Sequence, residues 1–196
     1  MKIGVCGLGR LGKAVVSSAE KEETEIVGVF TRRDPRLIAL PANADVYGFE
    51  YVSEFQDKID VMINCMGSDF DLPVTSAYLS QFFNLVDPYQ NKKDFGEHLR
   101  RCNRYALKGR KLCLVGAGTD PGLFSLLKKI CKEFNLPDIM LSVGRAEIKD
   151  IYEFTANAML CFSKAVYSMN KKGKSGAISV FELSLEDLLI NKDFSI

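Results

Sequence analysis

Two short stretches of this chain carry residue types whose spacing points to chemistry. Gly7-Leu8-Gly9-Arg10-Leu11-Gly12 reads G-x-G-x-x-G. Between a strand and a helix, the first glycine of such a pattern permits the tight turn. The second lets a pyrophosphate approach the backbone, and the third lets helix and strand pack closely. The helix N-terminus supplies unpaired N–H groups and the positive end of its dipole. About 20 residues further on, an NAD-binding unit would carry an acid for the ribose 2′-hydroxyl. This chain instead reads Thr31-Arg32-Arg33. An acid there would repel a 2′-phosphate, whereas guanidinium groups bind one through charge-assisted hydrogen bonds, with the Thr31 hydroxyl beside them. The combination points to NADP(H); the competing explanation is a solvated basic turn.

Other candidates are less specific. Cys65-Met66-Gly67 follows an apolar run and is expected near the nicotinamide-side ribose, unless it is simply a strand-to-helix turn. Asp87, in "VDPY", ends another apolar run and is placed to face a substrate, although Asp-Pro turn chemistry explains it equally well. Asp120, in "TDPG", reads as a helix N-cap with Pro121 at the first helical position, a role that would account for it alone. His98, in "GEHLRR", reads as a surface helix residue rather than a catalytic base.

Composition limits the alternatives. The 196 residues are 47% hydrophobic and 26% charged, with a net charge of +1. That is an ordinary globular balance with no broad basic field for nucleic acid or an anionic membrane. No apolar run approaches the roughly 20 residues that span a bilayer, and the N-terminus "MKIGVCGLG" reads as strand and turn rather than a signal peptide. The six cysteines are scattered without a C-x-x-C pair, so buried free thiols in a reducing compartment are expected. With a single histidine, no metal is expected. The setting is read as cytoplasmic.

The elements that must position these residues alternate. "MKIGVC", "EIVGVF", "IDVMINCMG", "NLVDPY" and "KLCLVGAG" read as strands, and the segments from Leu11, "VTSAYLSQFF", "FGEHLRRCNRYALKG" (closed by Gly109) and "DPGLFSLLKKICKEF" as helices. Such alternation is the signature of an α/β fold, a Rossmann-type doubly wound parallel sheet, with ligands outside the carboxyl ends of the strands. Beyond the nucleotide-binding domain, 1–135, "PDIMLSVGRAEIKD" reads as a strand or a strand and turn, in a short segment over 136–152. A reduced C-terminal appendage, 153–196, follows as helix, strand and short helix. One face of its first helix carries Phe154, Ala158, Cys161 or Phe162, and Ala165; Ser184 is the N-cap of the last helix.

Longer stretches are more specific than the glycine pattern. "VGVFTRRDP", "IDVMINCMGSDFDLP", "QFFNLVDPY", "GTDPGLFSL" and "EFTANAMLCFSKAVYSMNKKGKSGAISVFEL" together resemble the meso-diaminopimelate dehydrogenase family. The resemblance implies an NADP-dependent oxidative deamination of the D-amino acid centre, in lysine biosynthesis, by a homodimer. It implies that Gly7, Gly9, Arg10, Leu11, Gly12, Thr31, Arg32, Arg33, Cys65, Met66 and Gly67 hold NADP. Asp87 and Asp120 would then lie at the substrate amine, Asp120 as a proton acceptor.

The resemblance also exposes departures. The family inserts a substrate and dimerisation domain between the "DPGLF" and "EFTA" helices, where this chain has only the short segment over 136–152. Thr119 stands where the family has tryptophan, Gln90 where it has a second aspartate, Lys92 where it has histidine, and Ile151 where asparagine is expected. Two readings follow: a small dehydrogenase whose site is completed by a partner copy, or a non-catalytic NADP-binding protein derived from the family. A reductase for another small amino or imino acid would need only the same cofactor half.

Overall fold

The computed structural model describes residues 1–38, 40, 44–67, 71–120, 122–133 and 150–188. Seven parallel strands form one sheet in the order β3-β2-β1-β4-β5-β6-β7. They are β1 (Lys2–Cys6), β2 (Glu25–Thr31), β3 (Val46–Gly48), β4 (Val61–Asn64), β5 (Asn84–Asp87), β6 (Leu112–Val115) and β7 (Gly176–Ser179). The helices are α1 (Arg10–Lys21), α2 (Asp71–Phe82), α3 (Phe95–Gly109), α4 (Leu123–Glu133), α5 (Ile151–Lys171) and α6 (Leu185–Leu188). The order runs one way from β1 to β3 and the other way from β4 onward. This reversal opens a crevice between β1 and β4, where ligands of doubly wound sheets bind.

The central strands are continuous apolar runs because both faces of the sheet are covered. Alternate residues enter opposite cores. Ile3, Val5, Val61, Ile63, Leu112 and Leu114 pack in the core formed with α1 and α5. Cys6, Met62, Leu85, Cys113 and Val115 pack in the core formed with α2 and α3. Helix α5 places Ala158, Phe162 and Ala165 in the first core, and leaves Cys161 exposed. Its small residues bring it close to the sheet, and Lys21–Glu153 and Glu22–Lys164 ion pairs tie it to α1. β7 joins β6 in parallel register, Leu112 opposite Gly176 and Val115 opposite Ser179.

Several expectations change in detail. β3, only three residues long, is too short for its own sequence signal, and a 3-10 segment, Phe49–Phe55, follows it. The "GAISVFEL" strand stops at Ser179, where a capping box turns the chain into a short 3-10 helix, Val180–Glu182. Helix α3 is closed by Arg110, in the left-handed conformation at φ 54°. Gly109 is instead small because a β-carbon would collide with the Gln81 carbonyl. Ser184 caps α6 as expected: its hydroxyl accepts from the Asp187 N–H at 3.2 Å, while the Asp187 carboxylate accepts from the Ser184 N–H at 2.9 Å. The reading of "PDIMLSVGRAEIKD" lies almost wholly outside the described residues. Among the described residues no helix is long and apolar enough to cross a membrane.

Candidate functional site

At the carboxyl ends of β1, β2 and β4 lies a cavity of about 840 Å³. The glycine turn forms its floor. Gly7 sits at φ +95°, and a β-carbon there would come within 2.7 Å of the Cys65–Met66 backbone. A β-carbon on Gly12 would collide with the Gly7 carbonyl, so this glycine lets α1 pack against the turn. Gly9 differs: its β-carbon would meet no atom within 4 Å, and the residue lines the cavity. Its smallness serves nothing inside the protein and leaves room for a ligand. Gly9→Val is therefore expected to leave the melting temperature unchanged while weakening NADPH about tenfold or more. Gly12→Ala is expected to cost about 1–3 kcal/mol of stability, read by chemical denaturation. Equal thermal losses in both variants would remove the distinction.

The basic end is built by β2. Thr31 is buried, and its Oγ1 accepts from the Arg33 N–H at 3.2 Å. The Arg33 guanidinium turns back over the glycine turn and donates to the Leu8 carbonyl. Arg32 donates through Nη1 and Nη2 to both carboxylate oxygens of Asp71, at 2.9 and 2.8 Å. That bond, with Asp71's charge, raises the Arg32 pKa further. Arg10, at the start of α1, lies over the Tyr152 ring of α5 at 4.9 Å, within cation–π range.

The third wall follows β4. Asn64, fully buried, donates to Ser76 at 2.9 Å and Thr75 at 3.2 Å and accepts from the Met66 N–H at 3.1 Å. This fixes the Cys65-Met66-Gly67 turn at the cavity. Burial pushes the Cys6 thiol up to about 12, partly countered by Arg32, and raises Cys65 as well. Both therefore stay protonated. Cys6, Cys65, Cys102 and Cys113 are free and buried, and only Cys161 departs from the expected burial among the described cysteines.

The far end brings Asp120 and Thr119 together with Ile151, Tyr152 and Thr155 of α5. Thr155 Oγ1 donates to the Ile151 carbonyl at 2.7 Å, so the 2.6 Å contact between the two hydroxyls has Thr119 as donor. Asp120 is not the N-cap that "TDPG" suggested. Helix α4 begins at Leu123; the Leu123 and Phe124 N–H groups bond to Gly118 and Thr119. Asp120 is thus an exposed turn residue facing the cavity.

Asp87 lies elsewhere. It is fully buried, accepts from the Tyr89 N–H at 3.1 Å, and contacts His98 Nε2 directly. Its neighbours Pro88 and Gln90 line the cavity; Asp87 itself does not. The expectation that His98 sits at the surface is overturned, for its side chain is 1% exposed. The reason is helical spacing: His98, Cys102 and Ala106 share the buried stripe of α3. The His98 ring lies 4.0 Å from Tyr89, and its Nε2 is 3.6 Å from Cys102 Sγ. Burial opposes a charge on His98, yet the hydrogen bonds to Asp87 and Cys102 and the charge of Asp87 together outweigh it and push the pKa up to about 9. Among the described residues its Nδ1 has no hydrogen-bond partner. Asp87, His98 and Cys102 have ligand atoms within 4.8 Å of one another. In this structure the Asp87 carboxylate and the His98 imidazole are joined by a direct hydrogen bond.

Some residues at or beside the cavity carried no isolated sequence signal. Asp71, held beside it through Arg32, is one of two acids in "SDFDLP", and Tyr152 and Thr155 reach the site only because α5 begins beside the β6–α4 loop. Asn64 was hidden inside an apolar run, although a polar residue there already implied a buried hydrogen-bonding role.

No protein-family profile matches the chain. The meso-diaminopimelate D-dehydrogenase of Ureibacillus thermosphaericus is 36% identical over 145 residues, 74% of this chain and 43% of that protein. The enzyme of the same name from Lysinibacillus sphaericus is 38% identical over 138 residues, 70% of this chain and 42% of that protein. This chain therefore matches less than half the length of either relative. Among solved structures, an engineered D-amino acid dehydrogenase bound to NADP+ superposes with a TM-score of 0.78 at 19% identity, covering 98% of this chain and 99% of that one. The fold of that enzyme is thus shared. Identities of 36–38% across 70% or more of its residues carry the lineage, and the chain belongs to the meso-diaminopimelate D-dehydrogenase family.

Proposed function

We propose that this chain binds NADP(H) in the cavity at the ends of β1, β2 and β4, and that it is an oxidoreductase acting on the D-centre of an amino acid such as meso-diaminopimelate. One observation carries the reading. Arg32 and Arg33 lie on the same cavity as the open side of Gly9 and the exposed acid Asp120. The NADP+ complex of the structurally similar engineered D-amino acid dehydrogenase supports the cofactor, and the family relatives support the chemistry.

In this reading the open side of Gly9 and the start of α1 receive the pyrophosphate, with Arg10 beside them. Thr31, Arg32 and Arg33 receive the 2′-phosphate, and Cys65-Met66-Gly67 borders the nicotinamide half. The bound cofactor supplies the hydride acceptor. Asp120 accepts the proton released from the substrate amine, and its exposure in the cavity lets it do so. Thr119 and Thr155 hold the adjoining wall in place. Asp87, committed to His98, acts by positioning the Pro88–Gln90 wall rather than by touching substrate.

The nucleotide half is assigned to 1–135, the shortened segment to 136–152 and the closing helix–strand–helix to 153–196. A cytoplasmic homodimer is proposed. Exposed Val74, Phe181 and Leu107 offer apolar surface for pairing, and buried free thiols suit a reducing setting.

A second reading is favoured by a specific set of facts: an NADP-binding protein without turnover. The chain matches under half the length of its relatives, and Thr119 and Gln90 replace larger or acidic side chains on the cavity wall. Following NADP+ reduction with meso-diaminopimelate beside an NADPH-binding titration separates the two. Binding with turnover is the expected result. Binding without turnover would leave the second reading, and no binding would overturn both.

A further inference from the structure

We infer that Asp71 limits how tightly this chain holds a 2′-phosphorylated nucleotide, by occupying the guanidinium fork of Arg32. The inference rests on the cavity being an NADP(H) site. Arg32 follows β2, and Asp71 opens the helix after β4; these two strands flank β1 in the sheet. The ion pair therefore spans the end of β1, across the mouth of the crevice.

The two arginines are not equivalent. Arg33 donates to a neutral carbonyl, that of Leu8, and among the described residues it has no ion-pair partner. Arg32 gives both terminal nitrogens to one carboxylate, at 2.9 and 2.8 Å. A phosphate uses the same bidentate geometry, so carboxylate and 2′-phosphate compete for one fork. The Asp71 charge also halves the net positive charge that the two arginines offer, and it repels an incoming dianion. The side chains are 56% and 33% exposed, so the pair is accessible to solvent and open to exchange. A nucleotide lacking the 2′-phosphate makes no such demand. Asp71 therefore sets the ratio of NADPH to NADH affinity while leaving NADH affinity alone.

Titrating the full chain with NADPH and NADH, and with 2′,5′-ADP against 5′-AMP, tests this. The proteins compared are the wild type, Asp71→Asn, Asp71→Ser, Arg32→Ala and the Arg32→Ala/Asp71→Asn double variant. Serine keeps an oxygen in the first turn of α2, which guards against loss of that helix end. Both Asp71 variants are expected to tighten NADPH and 2′,5′-ADP about fivefold, the worth of an exposed ion pair, and to change NADH and 5′-AMP by less than about twofold. The gain is expected to shrink in the Arg32→Ala background to the small part that the exposed, screened Asp71 charge exerts alone. Weaker NADPH binding in both Asp71 variants would make Asp71 a support for Arg32 and overturn the inference. An equal gain for NADH, or a gain of undiminished size without Arg32, would overturn it too. A wild type that prefers NADPH while Asp71→Asn changes nothing overturns this inference alone. A wild type without that preference overturns the cofactor assignment as well.

Discussion

Alanine at both Arg32 and Arg33 is expected to weaken NADPH binding by about two orders of magnitude or more and NADH binding by less than about threefold, since each charge-assisted hydrogen bond is worth about 1.5–3 kcal/mol. The two residues project from the end of β2 onto one cavity. Only NADPH carries the dianion they would meet. Because Arg33 is held by a neutral carbonyl and Arg32 by the Asp71 carboxylate, Arg33→Ala alone is expected to cost more than Arg32→Ala alone. Fluorescence titration with both nucleotides reads the ratio directly. Equal losses for NADPH and NADH would mean that the arginines support the turn and do not read the phosphate. Raising the salt concentration should narrow the gap between the nucleotides, since the contacts are partly exposed and screened.

The second large effect is on stability, in the buried pair beneath the cavity. His98→Leu strands the Asp87 carboxylate in a site that is fully buried, and is expected to cost about 3–5 kcal/mol in chemical denaturation. The double replacement Asp87→Leu/His98→Leu removes both charges together and is expected to recover much of that loss. If the double variant is as unstable as the sum of the two single ones, the residues act independently and the pair has no special weight.

The same pair makes stability depend on pH with a definite sign. Against burial, the bonds to Asp87 and Cys102 together with the Asp87 charge raise His98 from its ordinary value to about 9 in the folded chain. A folded value above the unfolded one means that the native state binds the proton more tightly. The stabilisation is complete below about pH 6.5 and is lost as pH rises through about 9, by at most about 3 kcal/mol. The groups facing His98 are Asp87 from β5, Tyr89 after it, Cys102 on the next turn of α3 and, beyond Cys102, Cys113 of β6. Cys102 is held below its ordinary thiol value by its bond to Cys113, against burial, and by His98. Denaturation curves at pH 6.5 and 9.5 should therefore differ in the wild type and differ far less in His98→Leu. A wild-type curve that gains stability over this interval would contradict the assignment.

Much of this molecule was legible because parallel strands covered on both faces must be apolar throughout. Val61–Asn64 and Leu112–Val115 announce themselves without any partner in view. The glycine turn was legible for a related reason. Gly7 and Gly12 answer to local backbone geometry, which six consecutive letters can specify. His98 was misread because a residue's neighbours in the sequence are not its neighbours in a helix. "GEHLRR" surrounds it with charge, whereas its own face of α3 carries Cys102 and Ala106.

The catalytic candidates divide along the same line. Asp87 and Asp120 each end a strand–turn segment, and nothing local distinguishes them. Packing does: α3 folds over β5 and brings a histidine onto Asp87, while α4 starts late and leaves Asp120 in the open turn. The Arg32–Asp71 bridge likewise joins residues 39 apart in the chain, through a sheet order that sets β2 and β4 on either side of β1. By itself, then, the sequence determined the alternating architecture, the glycine turn and the basic end of β2, because periodicity and backbone sterics act over a few residues. Only the tertiary structure decided which acid faces the cavity, which is buried against a cation, and which carboxylate holds Arg32, because those are matters of burial and charge between segments that meet only when the sheet has formed.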